Sequence, residues 1–126
     1  MPILVHCLLL AAGGAAGTLL RAASNSLAAR WLGSSFPWGT LAVNVLGSFA
    51  FGAIVAWART RGSLSTAQET AVLVGLLGGL TTYSSFAFQS VEMLEAGRAL
   101  SALAYIVGTN AAALAAVWAG LRLFSA

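Results

Sequence analysis

TAVLVGLLGGLTTYSSFAFQSV, residues 70 to 91, carries no Asp, Glu, Lys or Arg, and the fold turns on how it is read. A hydrocarbon core of roughly 30 Å is crossed by about 20 apolar residues of helix, so this run is long enough to span. Lipid offers no partner to an open backbone, and a helix satisfies its polar groups within one segment. A barrel strand would instead show short segments of alternating polarity, and this run does not alternate. Its middle is the exception to its apolar character. Gly78 and Gly79 are adjacent, and hydroxyls follow at Thr81, Thr82, Ser84 and Ser85. Paired glycines weaken a helix, and Ser and Thr side chains bond to carbonyls that a weakened helix frees. The pattern predicts a third spanning helix broken in the middle. Such a break is tolerated at this depth only when it is buried in protein or lines a wet cavity.

Three further runs, residues 1 to 20, 31 to 58 and 99 to 121, are equally free of charge. Together the four runs predict an all-α integral membrane protein of four transmembrane helices, with residues 1 to 126 as a single domain. Composition agrees: 60% of residues are hydrophobic and 7% charged, with a mean hydropathy of +0.91, where soluble domains carry about 25% charged residues. A water-soluble enzyme is excluded. The first run does not read as a removable signal peptide, because no basic residue precedes its apolar part and it continues to Arg21. His6 and Cys7 read as packed or lipid-facing side chains, and one cysteine permits no internal disulfide.

The charges are six Arg and three Glu. With four spans, the N-terminus, a loop around residues 59 to 69 and the C-terminus share one side; loops around 21 to 30 and 92 to 98 share the other. Arg59, Arg61 and Arg122 then oppose Arg21, Arg30 and Arg98. Orientation normally follows the cytoplasmic excess of basic residues, and a balanced chain inserts both ways. Dual topology and an antiparallel homodimer of inverted copies are therefore expected. The basic residues flank spans rather than cluster, so no nucleic acid partner is expected.

No charge lies inside the runs, which leaves acid–base catalysis and proton relays without their groups; the chain is not expected to be an enzyme. Amides and hydroxyls remain. Asn44 falls at the middle of the second run, with Thr40 and Ser48 one turn to either side on the same face. Tyr105 and Thr109 form another such pair in the fourth run. Tyr83 and Phe86 share a face if the third helix resumes, and an aromatic ring has a positive edge that can meet an anion. Spacings of small residues, Gly13 with Gly17, Gly75 with Gly79, Ser48 with Gly52 and Ala116 with Gly120, suit close helix packing. Trp31, Trp38 and Trp57 suit the interfacial belt.

Three blocks, GGAAGTLLR from Gly13, WGTLAVNVLGSF from Trp38 and GGLTTYSSF from Gly78, resemble the CrcB/Fluc family of bacterial fluoride channels in order and spacing. The resemblance implies antiparallel dual-topology homodimers in the bacterial plasma (inner) membrane. Each dimer would hold two narrow pores that pass fluoride out of the cytoplasm by passive electrodiffusion, and a central structural sodium ion. By position, Asn44 is expected to donate its amide to fluoride and Phe86 its ring edge. Thr40, Ser84, Ser85, Tyr105 and Thr109 are expected along the pore, Arg21 in the vestibule, and backbone carbonyls of Gly78 and Thr81 on the sodium. Position 83 departs from the pattern, with Tyr where the family usually has Phe, and Ala113 stands where a hydroxyl is frequent. Small multidrug-resistance transporters are also four-helix dimers, but they need an acidic residue in the first span, and the first acid here is Glu69. A packing subunit without transport would explain the small residues but not polar elements on three helices.

Overall fold

A computed structural model describes residues 1 to 125, and among them the regular structure is entirely helical. Helix α1 (Ile3–Leu32) begins after Pro2 and stops at Gly33, whose φ of 83° suits only glycine comfortably. Helix α2 (Trp38–Arg61) likewise starts after Pro37 and stops at Gly62. Then follow α3 (Thr66–Glu69), a wide π-helical segment (Thr70–Leu77), α4 (Gly78–Leu80), α5 (Tyr83–Glu95) and α6 (Ala99–Leu123). Ser65 caps α3 reciprocally, its hydroxyl accepting from the Gln68 N–H while the Gln68 side chain accepts from the Ser65 N–H. Four stretches, Ile3–Leu32, Trp38–Arg61, Thr66–Glu95 and Ala99–Leu123, are long and apolar enough to cross a membrane.

Two differences from the sequence reading have physical causes. Residues 21 to 30, expected as a loop, are the last third of α1. An absence of charge marks depth in lipid rather than the end of a helix, and Ala22, Ala23, Leu27, Ala28 and Ala29 all favour helix. Arg21 thus lies within α1, about three turns or roughly 16 Å before its end. The tally at the ends becomes Arg59, Arg61 and Arg122 against Arg30 and Arg98. Secondly, Gly78 and Gly79 are themselves helical, and the extended residues are Thr81 (φ −88°, ψ 155°) and Thr82 (φ −152°, ψ 121°). β-Branched threonines accept extended backbone readily, whereas Gly79 is used for close contact with α1 and Gly78 has open space where a Cβ would sit.

Those contacts organise the bundle. α1 runs along the π-helical segment and α4, and α2 along α6. In the first pair a Cβ on Gly13 or Gly17 would strike the backbone of residues 71 to 80, one on Gly79 would strike that of α1, and one on Gly75 would crowd it. In the second, Gly52 abuts the backbone of Val117 and Gly120 that of Phe49 and Ala53. Close backbone approach is what associates helices where lipid removes the hydrophobic force. Outside, Leu8, Leu19, Leu46, Val74, Leu103, Leu114 and Trp118 are exposed, as a lipid-facing surface requires. Inside, the buried cluster is small: Phe86, Met93, Ala102 and Tyr105, with Phe36, Leu41 and Ile106 packed against it.

Candidate functional site: a polar line between two clefts

Where the helix stops at Leu80, the backbone of Thr82 loses its helical partners. Asn44 supplies both. Its Oδ1 accepts from the Thr82 N–H at 2.8 Å, and its Nδ2 donates to the Thr82 carbonyl at 3.1 Å. The amide thus replaces one rung of backbone bonding, and one Nδ2 hydrogen remains free. Ser48 donates back to the Asn44 carbonyl at 2.6 Å, which uses its hydroxyl within α2. Thr82 then starts α5, its Oγ1 accepting from the Ser85 N–H at 3.2 Å and donating to the Ser85 hydroxyl at 3.1 Å.

On the other side of the interruption Arg21 donates from Nε to the Gly79 carbonyl at 3.1 Å, and the Thr81 hydroxyl donates to the Leu77 carbonyl at 2.9 Å. The carbonyls of Gly78 and Thr81 accept no hydrogen bond from the described chain. Both residues line the same cleft. Two unbonded carbonyl oxygens are hard donors of the kind alkali and alkaline-earth cations take, so these residues fit a sodium ion in donor chemistry but not in number.

One cleft opens at the interruption and a second lies beyond it toward the end of α5. The first, about 370 Å³, is lined by Asn44, Ser48, Thr81, Tyr83, Phe86 and Thr109 among others. The second, about 470 Å³, includes Asn25, Ser34, Thr40, Gln89, Glu92 and Arg98. Asn44 and Thr40 are one turn apart on α2, and Phe86 and Gln89 one turn apart on α5, so each pair reaches from one cleft to the other. Between them lies a buried septum. The Phe86 ring is 5.1 Å from that of Tyr105, which Phe36 meets edge-on at 5.4 Å. Tyr105 donates its hydroxyl to Gln89 Oε1 at 2.8 Å, and Gln89 Nε2 donates to the Thr40 hydroxyl at 3.0 Å. Tyr105 and Thr40 are each 1% exposed.

One turn beyond Tyr105, Thr109 is 6% exposed and its hydroxyl has no partner, the one such buried side-chain atom among the described residues. That atom belongs to a residue lining the first cleft. A buried donor is almost always paired, so an unpaired one beside a cleft marks a place where a ligand can bind.

The expected residues are only partly brought together. Asn44, Tyr83, Phe86 and Thr109 share the first cleft, Thr40 borders the second, and Tyr105 stands between them. Ser84 and Ser85 sit in the first turn of α5 beside Thr82 and border neither cleft. Arg21 borders neither cleft and is engaged with α4. Tyr83 is 78% exposed, with its ring 5.6 Å from that of Phe86. Gln89 was missed by the sequence reading. The available signal was a lone amide three residues after Phe86, on its face of a helix that resumes at Tyr83.

A family model described as "CrcB-like protein, Camphor Resistance (CrcB)" matches residues 8–121 of the chain. The chain is 40% identical over 121 residues to the fluoride-specific ion channel FluC of Rhizobium meliloti (strain 1021), covering 96% of this chain and 97% of that one. It is 41% identical over 118 residues to that of Chelativorans sp. (strain BNC1), covering 94% of each, and 38% identical over 116 residues to that of Nitrobacter winogradskyi, covering 92% of each. A match from the first helix to the last, with relatives this similar across nearly their whole length, means that the chain belongs to the CrcB family.

Proposed function

We propose that this chain is the subunit of a fluoride-selective channel that lets fluoride leave the cytoplasm by passive electrodiffusion. Fluoride is small and strongly hydrated, so a pore must replace its water with several donors while staying too narrow for larger anions. The line from Thr109 and the free Nδ2 hydrogen of Asn44, past the ring edges of Phe86 and Tyr105, to Gln89 and Thr40 offers neutral donors throughout. A fixed cation there would bind the ion too well to release it. The unpaired buried hydroxyl of Thr109 carries the reading. Tyr83, Ser84 and Ser85, in the first turn of α5, are in this reading further pore residues, and Arg21 is the vestibule residue that draws anions in while its Nε holds the Gly79 carbonyl.

The first cleft is open along one side in a single copy. An antiparallel second copy would close it, turn Tyr83 inward and give two pores per dimer. The near-even split of arginines supports dual topology. On the same two-fold axis the unbonded carbonyls of Gly78 and Thr81 double to four, a donor set suited to a structural sodium ion. Bound there, it would supply positive charge that lowers the cost of an anion at low dielectric. The interruption at Thr81 and Thr82 is, in this reading, the break of the third spanning helix. Helical rather than barrel spans suit a plasma (inner) membrane.

Thr109→Val tests the assignment. Valine keeps the shape and removes an unsatisfied group, so stability in detergent does not fall. Fluoride efflux from proteoliposomes should drop by about tenfold, one lost hydrogen bond of roughly 1.4 kcal/mol to a charged ligand. Efflux at the wild-type rate would overturn the path.

A further inference from the structure

The second cleft opens between the α1–α2 linker and the turn joining α5 to α6, and both are pinned. α5 ends in two bonds of a Schellman cap: the Gly97 N–H donates to the Leu94 carbonyl at 3.1 Å and the Arg98 N–H to the Met93 carbonyl at 2.8 Å. Gly97 makes the turn possible with a φ of 74°. This cap brings Arg98 to the start of α6, and its guanidinium then donates across to the Ser35 carbonyl in the α1–α2 linker. The side chain therefore bridges the two loops that form the mouth. Arg98 is the one cation lining the second cleft, and the first cleft has none. Glu92, one turn before the end of α5, is the one anion there. No ion pair joins them among the described residues, so neither charge is cancelled by contact. Below them lie Gln89 and Thr40, the last members of the neutral polar line.

We propose that Arg98 gathers anions at the mouth of the second cleft and that Glu92 opposes it, the two setting how much fluoride reaches the neutral line beneath. The inference rests on the fluoride reading for the identity of the ion, but not for the sign of the field. Neutral donors inside release an ion quickly yet do little to attract it from solution. A cation held at the rim raises the local anion concentration without adding a tight site inside the pore. Charged groups exposed to water act over about 10 Å at 0.1 M salt, which spans such a mouth but not the whole bundle.

Ser34 lines the same cleft and reports its potential when changed to cysteine in a Cys7→Ser background. Purified protein is labelled with an anionic sulfonate and a cationic trimethylammonium methanethiosulfonate, and the ratio of the two rates is taken. At low salt Arg98→Gln should lower the anion-to-cation ratio by about threefold and Glu92→Gln raise it by about threefold, toward the low end of electrostatic focusing. Arg98→Lys should keep the parent ratio. At about 1 M inert salt, where the Debye length is about 3 Å, the differences should vanish. An unchanged ratio in Arg98→Gln at low salt, or a change that salt does not remove, would overturn the proposal. Fluoride efflux from proteoliposomes should follow the same order among the variants, and efflux that ignores a shifted ratio would also overturn it. A parent protein that passes no fluoride would instead defeat the channel reading, while the labelling ratio still decides the sign of the field.

Discussion

Thr82 loses both backbone partners where the helix stops, and Asn44 returns both with one amide while keeping a hydrogen for a ligand. A residue so placed is structural and functional together. Asn44→Ala strands the half-buried N–H and carbonyl of Thr82, each at a cost toward the low end of the about 1–3 kcal/mol expected of a fully buried group. Thermal unfolding in detergent should therefore show a clear loss of stability, and fluoride efflux should be lost with it. Asn44→Asp keeps the acceptor for the Thr82 N–H but sets a carboxylate oxygen against the Thr82 carbonyl, so efflux should be lost there as well. Wild-type efflux in either variant would rule out a pore passing Asn44. Gln89→Leu is the companion case on α5: it leaves the Tyr105 and Thr40 hydroxyls without their shared partner. It should reduce efflux and cost a further few kcal/mol by the same principle. Asn44 was legible because an amide in mid-run stands out against apolar neighbours. Gln89 was not, because its meaning lies in bridging hydroxyls on α2 and α6, a relation between three helices that no single segment displays.

Two glycines per helix define the pairing of α1 with the π-helical segment and α4: the spacings of Gly13 with Gly17 and of Gly75 with Gly79 were legible as packing surfaces, but that the two pairs face each other is seen only in the fold. Gly17 is the tightest test, since a Cβ there would run into the backbone at Leu76 and Leu80. Gly17→Ala should cost about 1–3 kcal/mol through overpacking, read as a lower unfolding temperature. Gly14→Ala has open space at its Cβ and should be silent. Equal losses in the two variants would mean that the helix pair is not fixed by this approach. The same crossing carries Arg21 to the Gly79 carbonyl, so a misplaced α1 should also disturb the interruption. The four spans were readable from charge alone, but the π-helical turns of Thr70–Leu77 were not. Their wider bonding gives no distinct apolar pattern in a stretch that is apolar all round. The length of α1 was hidden for a related reason: an arginine inside a helix looks, in sequence, like one beyond its end.

For the whole molecule, the question is what closes the first cleft, and the arginines give the means to ask. With three at the ends on one side and two on the other, small additions of charge should dictate orientation. Lysines at the exposed Ser63 and Thr66 should drive every copy to insert with the α2–α3 loop in the cytoplasm, and lysines at the exposed Ala99 and Leu100 should drive the opposite. An antiparallel dimer needs both orientations, so either variant expressed alone should yield little fluoride efflux in cells. Expressed together they should restore it, because each supplies the inverted partner that the other lacks. The rescue is the decisive arm, since charges that merely damaged the fold would not be repaired by a second damaged copy. Either pinned variant conducting alone at the parent rate would show that one orientation is sufficient, and the two-fold axis, with its paired pores and its four carbonyls at Gly78 and Thr81, would fall together.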